Sequence, residues 1–333
     1  MGAKTPEFAP LWTDAENALS ILESKLSQAT VTGQQAAQLE SLIRFGFAII
    51  PQAISTGQAD ALRQEINSVS SRAEYFLARR ARKAYTHPVP DIYDDPTFRL
   101  IDFHVNSALA REAIFCEKIV DLLRIVFDDE LNAFQCLTFN YGSQQAAHQD
   151  TAYVVVSEPL QFLASWIALE DVEPGSGELE YYPGSHKLEH HLFGEASKSW
   201  NPEIHGRPAH KAFLDGLISR CEQQGLEATA FLPKKGDALI WASDLVHGGR
   251  KMESPRTRYS IVTHYCPSTV YPNFRNFTSY FHLQAVQPHC YISSRHYDLT
   301  KRAPSGWWSK LFGRQHFSNQ MLKPAFMGQQ ESD

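Results

Sequence analysis

His148-Gln149-Asp150, a second histidine far downstream at His247, and Arg258 eleven residues beyond it are the residues here whose types and spacing could do chemistry. Two imidazoles and one carboxylate occupy one face of a metal ion and leave the opposite face open, the donor set of non-haem Fe(II) centres that handle dioxygen. In an extended chain successive side chains point to opposite faces, so His148 and Asp150 are expected to share a side while Gln149 turns away. The interval before His247 is long enough to build several strands and bring a third donor back to the first two. A His-x-Asp triplet by itself equally describes surface or hydrogen-bonded residues.

The elements that must position these groups read as strands. Phe45 to Ile50 is a short apolar run ended by Pro51, Leu131 to Tyr141 has β character, and Val154 to Val156 continues it. Leu160 to Val172, with Trp166 in its middle, and the segments carrying Leu179 and Ile240 add further strands. Helical spacing marks Ala15 to Ala29, Gln34 to Ile43, Thr56 to Val69 and Ala108 to Phe127. Between Lys187 and Thr229 the pattern breaks into mixed helix and loop, read as a lid or insertion. Its four histidines, His190, His191, His205 and His210, lack a carboxylate at chelating spacing and are read as structural or surface groups.

With 333 residues, 43% of them hydrophobic, the chain can bury a large core, and one β-rich catalytic domain with extensions accounts for the length. A net charge of −6 gives no broad basic field, so nucleic acid is not an expected partner. Five scattered cysteines without a C-x-x-C pair indicate neither a disulfide framework nor a zinc ribbon, which fits a reducing, cytoplasmic setting. The N-terminus has no apolar signal core, and no apolar stretch reaches the ~20 residues of a membrane span. Near the C-terminus Trp307, Trp308, Leu311 and Phe312 stand beside Lys301, Arg302, Lys310 and Arg314. That mixture suits contact with an anionic membrane or packing on the chain's own domain, and packing is favoured because the whole chain is acidic.

Four runs, in order, carry a resemblance: Ala146-Ala147-His148-Gln149-Asp150-Thr151-Ala152-Tyr153, the strand with Trp166, Gly177 to Lys187 with its Tyr182-Pro183-Gly184-Ser185-His186, and Lys235 to Trp241. Followed by His247 and Arg258, they resemble the phytanoyl-CoA dioxygenase family of Fe(II)- and 2-oxoglutarate-dependent oxygenases, from about Leu42 to Pro267. The resemblance implies a double-stranded β-helix, that is a cupin-like jelly roll, mainly β with flanking helices (α+β). It divides the chain into a helical N-terminal extension (1–41), a dioxygenase domain (42–267) with an insertion or lid at about 188–229, and an aromatic-rich C-terminal extension (268–333).

The same resemblance assigns Fe(II) to His148, Asp150 and His247, with 2-oxoglutarate and O2 as cosubstrates, and pairs Arg258 with the distal carboxylate of 2-oxoglutarate. Arg256 is the rival, since strand parity gives it the same face one pleat nearer the turn. Trp166 is either a neighbour of the cosubstrate or core, while Asn140 and Tyr153 are candidates for the pocket wall. The chain departs from the family at Gly249, where Ser is frequent, so one hydroxyl contact to the cosubstrate is expected to be missing. Asp150 disfavours the related halogenases, which have a small residue there. The expected activity is hydroxylation of an unactivated carbon in a small molecule, releasing succinate and CO2. The alternative is a jelly-roll binding or sensing protein that keeps the triad without turnover.

Overall fold

The computed structural model describes residues 8–80, 83–86, 97–273, 282–301 and 321–324. Helices come first, and their starts are written in the sequence: α1 (Ala18–Ser27) is followed by α2 (Gly33–Phe45), opened by a capping box between Thr32 and Gln35. Gly46 ends α2 in the left-handed region at φ +82°, a conformation glycine adopts without penalty, and turns the chain into strand β1 (Phe47–Ile50). A second capping box, Ser55 with Gln58, starts α3 (Thr56–Asn67). Strands β2 (Leu77–Arg80), β3 (Lys83–Thr86) and β4 (Phe98–Ile101) precede α4 (Ala108–Ile114) and α5 (Glu117–Phe127). The single helix expected over 108–127 is therefore two, because buried Phe115 leaves helical geometry and Cys116 is extended as the cap of the second.

The remaining elements are β5 (Leu131–Phe139), β6 (Leu163–Ala168), β7 (Leu179–Tyr181), α6 (Pro202–Gln223), β8 (Thr229–Phe231), β9 (Ala238–Ala242), β10 (His247–Gly249), β11 (Ser260–Pro267), β12 (Gln284–Gln287) and β13 (Cys290–Ile292). They make a large sheet in the order β1-β9-β6-β11-β5-β4-β2-β3, with β13 joining β5 in parallel and carrying β12, and a small sheet β10-β7-β8. Two antiparallel layers of this kind are a jelly roll, a double-stranded β-helix.

The central strands β9, β6 and β11 of the large sheet are apolar on both faces, because helices cover one side and the small sheet the other. In β9, Ala238 and Ile240 join the core under the helices, while Leu239 and Trp241 face the small sheet. In β11, Ile261 and Tyr265 take the helical side and Val262 the inner side. In β6, Leu163 and Ile167 alternate in the same way with Ala164 and Trp166. This two-sided burial gives the near-continuous apolar runs seen in the sequence. Helix α2 runs across residues 41 and 42, and its Leu39, Leu42 and Ile43 lie in the same core as α3, α4 and α5. Among the described residues no helix is long and apolar enough to cross a membrane. Trp307, Trp308, Leu311 and Phe312 lie outside the described residues.

Candidate active site

The inner faces of the two sheets enclose a cavity lined by His148, Asp150, His247, Trp166, Arg258, Trp241, His264, Ser143 and Gln145, among others. His247 opens β10, and its backbone exchanges hydrogen bonds with His148 in both directions, at 2.8 and 3.0 Å. Mutually hydrogen-bonded residues face each other directly across an antiparallel pair, which brings the two imidazoles together; their ring centroids are 4.4 Å apart. Gly248 and Gly249 make that approach possible. A Cβ on Gly248 would sit 2.9 Å from the Gln145 carbonyl oxygen, and one on Gly249 would sit 2.7 Å from Ser143 Oγ. A serine at position 249 would collide with the Ser143–Gln145 segment, and Ser143 itself lines the cavity.

The His148-Gln149-Asp150 triplet is not the regular strand that alternation suggests. His148 pairs with His247 as a lone bridge, and Asp150 begins a single 3-10 turn (Asp150–Ala152). His148 and Asp150 nonetheless both face the cavity, while Gln149 points elsewhere and donates to the Asp244 carbonyl oxygen at 2.7 Å.

Hydrogen bonding fixes what the donor atoms offer. His148 Nδ1 lies 2.8 Å from the Ala146 carbonyl oxygen and His247 Nδ1 lies 2.9 Å from that of Leu245. A carbonyl oxygen can only accept, so each Nδ1 carries a proton, and in the neutral imidazole Nε2 is then the atom that presents the lone pair. Burial pushes the His247 imidazole down to about 4, so it is neutral at pH 7. Burial opposes ionisation of Asp150, but His247, His264 and His148 together hold its carboxyl well below the usual carboxylate range. Asp150 Oδ1 lies 3.6 Å from His148 Nε2 and 3.7 Å from His247 Nε2. Two lone pairs and an anionic oxygen converge, with the Gln145 side-chain amide donating to His148 Nε2 at 3.1 Å; a cation would take that donor's place, and the set suits the borderline character of Fe(II). Among the described residues this is the one cluster of His, Cys, Asp and Glu with its atoms all within 4.8 Å of one another.

Across the same cavity stands Arg258, only 2% exposed, with Nη1 donating to the Gly177 carbonyl oxygen at 2.9 Å and its guanidinium 5.4 Å from the Trp166 ring. Burial pushes its guanidinium down to about 10, against the pull of Glu178, so it stays charged at neutral pH while its buried Nε has no hydrogen-bond partner. Desolvating a cation this far is costly unless an anion joins it. Arg256, by contrast, is exposed.

The other expected residues divide. Trp166 lines the cavity, edge-on to Phe231. Asn140 does not line it, although its carbonyl oxygen accepts from the Arg258 backbone N–H at 2.8 Å and so holds the segment carrying that arginine. Tyr153 is 39% exposed, with its ring 5.5 Å from His148 and its hydroxyl 2.7 Å from His210 Nε2 on α6, so it stands outside the wall at the rim. None of the four histidines of the insertion joins the donor cluster. His190 contacts Asp244, His191 packs on Phe193 and Phe213, and His205 Nδ1 accepts from the Asn201 backbone. Several cavity residues carry no role in the sequence analysis, His264 and Trp241 among them. His264 was legible only as sharing the alternation of Arg258 along β11, and Trp241 only as part of an ordered run.

Fold and donor set together define an enzyme of the Fe(II)/2-oxoglutarate oxygenase class, built on a jelly roll. The chain belongs to the phytanoyl-CoA dioxygenase (PhyH) family, whose sequence profile matches residues 42–260. No curated protein sequence matches it closely enough to count as a relative. Among solved structures it is similar to the α-ketoglutarate-dependent epimerase SnoN in complex with Fe3+, α-ketoglutarate and nogalamycin RO, at 18% identity over 72% of this chain and 86% of that chain, TM-score 0.54. It is also similar to the α-ketoglutarate-dependent carbocyclase SnoK from nogalamycin biosynthesis (14% identity, 75% and 90% covered, TM-score 0.54). EctD from S. alaskensis with bound Fe is a third (17% identity, 71% and 77% covered, TM-score 0.51). At these identities the likeness establishes the shared fold.

Proposed function

We propose that this chain hydroxylates an unactivated carbon of a small molecule, with Fe(II) held by His148, Asp150 and His247 and 2-oxoglutarate anchored through Arg258. The observation that carries the reading is the pairing, in one cavity, of three convergent electron-rich atoms with a buried guanidinium whose Nε lacks a hydrogen-bond partner. When bound, the iron supplies the redox chemistry that couples O2 reduction to decarboxylation of 2-oxoglutarate, giving succinate and CO2. The chain's own part is positional. The guanidinium fork pairs with a planar carboxylate, and Trp166 walls the cavity beside it. The insertion at 188–229 reaches the rim through the Tyr153–His210 contact and forms part of the cover that excludes water.

The test is succinate formation under air with Fe(II), 2-oxoglutarate and a panel of candidate small molecules, in the wild type and in His148→Ala, Asp150→Ala and His247→Ala. Each variant should lose both metal binding and turnover, because only three protein ligands are present. Metal binding unchanged in all three variants would remove the ligand assignment. Tight iron binding with no succinate under any condition would favour the sensing module over the enzyme.

A further inference from the structure

The two oxygens of the Asp150 carboxylate sit in different surroundings. Oδ1 faces His148 Nε2 and His247 Nε2 at 3.6 and 3.7 Å. Oδ2 accepts a hydrogen bond from Trp241 Nε1 at 2.9 Å, and His264 Nε2 lies 3.2 Å from it, close but off regular hydrogen-bond alignment. We propose that Trp241 and His264 are positioning residues that clamp Oδ2 and so reserve Oδ1 as the single oxygen Asp150 offers to a metal. The inference rests on the metal-centre reading above.

Three observations carry it. Asp150 belongs to a short 3-10 turn and His247 to the small sheet, whereas Trp241 and His264 stand on β9 and β11 of the large sheet, each paired along its length with β6 between them. The clamp therefore ties a ligand on an irregular turn to the best-braced part of the fold. The Trp241 ring also packs on His247, with centroids 4.9 Å apart, so one indole touches two of the three proposed ligands.

The third observation is that His264 is costly for the fold. It is 4% exposed, set between Phe134 and Phe162, and its Nδ1 has no hydrogen-bond partner. A buried unsatisfied polar atom weakens the folded state, and an apolar side chain there would avoid that. A residue that weakens the fold while lying against a ligand's outer oxygen is explained by what it does to that ligand. A carboxylate left to rotate would bind through both oxygens and take a position that 2-oxoglutarate and O2 need.

The experiment compares full-length wild type with Trp241→Phe, His264→Phe, the double variant, His264→Gln and Asp150→Ala. Co(II) affinity is measured by visible absorption and isothermal titration, and metal-free melting temperature is measured alongside. Loss of a group that orients a ligand typically weakens metal binding 10–100-fold, so each Phe variant should bind Co(II) at least ~10-fold more weakly. His264→Gln, which keeps a donor, should recover most of that loss. The metal-free melting temperature of His264→Phe should equal or exceed that of wild type, which a purely structural histidine would not show. Co(II) affinity within about twofold of wild type in the double variant, with Asp150→Ala strongly impaired, would overturn the clamp alone. Undiminished affinity in Asp150→Ala would overturn the metal-centre reading and the clamp with it.

Discussion

Arg258 and Arg256 stand two apart on the segment leading into β11, and parity gives them one face; what separates them is burial. A lysine at 258 keeps the charge and loses the planar fork, so Arg258→Lys should raise the 2-oxoglutarate concentration for half-maximal succinate formation about tenfold, with Co(II) affinity unchanged. The same change at exposed Arg256 should do neither, and a larger effect there would exchange the two assignments. His186 bears on stability instead of chemistry. Its Nε2 reaches the Ile43 carbonyl oxygen at 3.3 Å, its Nδ1 is buried without a hydrogen-bond partner, and burial pushes the imidazole down to about 4. The folded-state value lies below the unfolded value near 6.5, so the unfolded chain takes up the proton first as pH falls. Stability present above pH 6.5 should thus be lost progressively toward pH 4, by on the order of 3 kcal/mol at full effect. Urea melts between pH 7.5 and 4.5 on wild type and His186→Phe check this: the variant should show the shallower dependence.

At the scale of elements, the insertion is fastened to the segment that carries the proposed ligands. Lys198, 4% exposed, donates to Asp244 Oδ2 at 2.6 Å, while Thr151, next in sequence to Asp150, donates its hydroxyl to the other oxygen of the same carboxylate. The Trp200 backbone N–H bonds the Ala152 carbonyl oxygen at 2.9 Å, so the insertion and the Asp150 turn are joined at backbone level too. Removing one partner of a buried ion pair leaves an uncompensated charge and costs roughly 3–5 kcal/mol. Lys198→Met should therefore lower the unfolding free energy by about 3 kcal/mol, and adding Asp244→Asn should return part of it because the stranded charge is gone. A denaturation double-mutant cycle measures this; purely additive losses would show that the pair is not coupled.

Across the whole molecule, segments distant in sequence complete one core. Leu322, 6% exposed, joins the cluster that also holds Leu39 and Ile66, and its backbone pairs in both directions with the Asn106 side chain, at 2.8 and 2.9 Å. A chain ending at Ser305 loses this leucine and both hydrogen bonds, so its melting temperature should fall by on the order of 5 °C. A truncated chain that melts with the wild type would place the stabilising role of this segment elsewhere.

Much of this protein was legible in its order of residues. The donor types, the separation of His148 and Asp150, and an arginine eleven residues after His247 are local facts, each set by a side chain's chemistry or by backbone period. The jelly roll followed from the strand runs together with the family resemblance. Tertiary structure decided the rest, because it depends on which strands become neighbours. Pairing of His148 with His247 turned a presumed strand into a bridge followed by a turn, and made Gly248 and Gly249 necessary. The order β9-β6-β11 brought Trp241 and His264 to one oxygen of Asp150, a convergence of residues 91 and 114 positions from that aspartate that no local pattern encodes. The fold also placed Tyr153 at the rim against His210 instead of in the wall, since the insertion that meets it has no period to reveal where it returns.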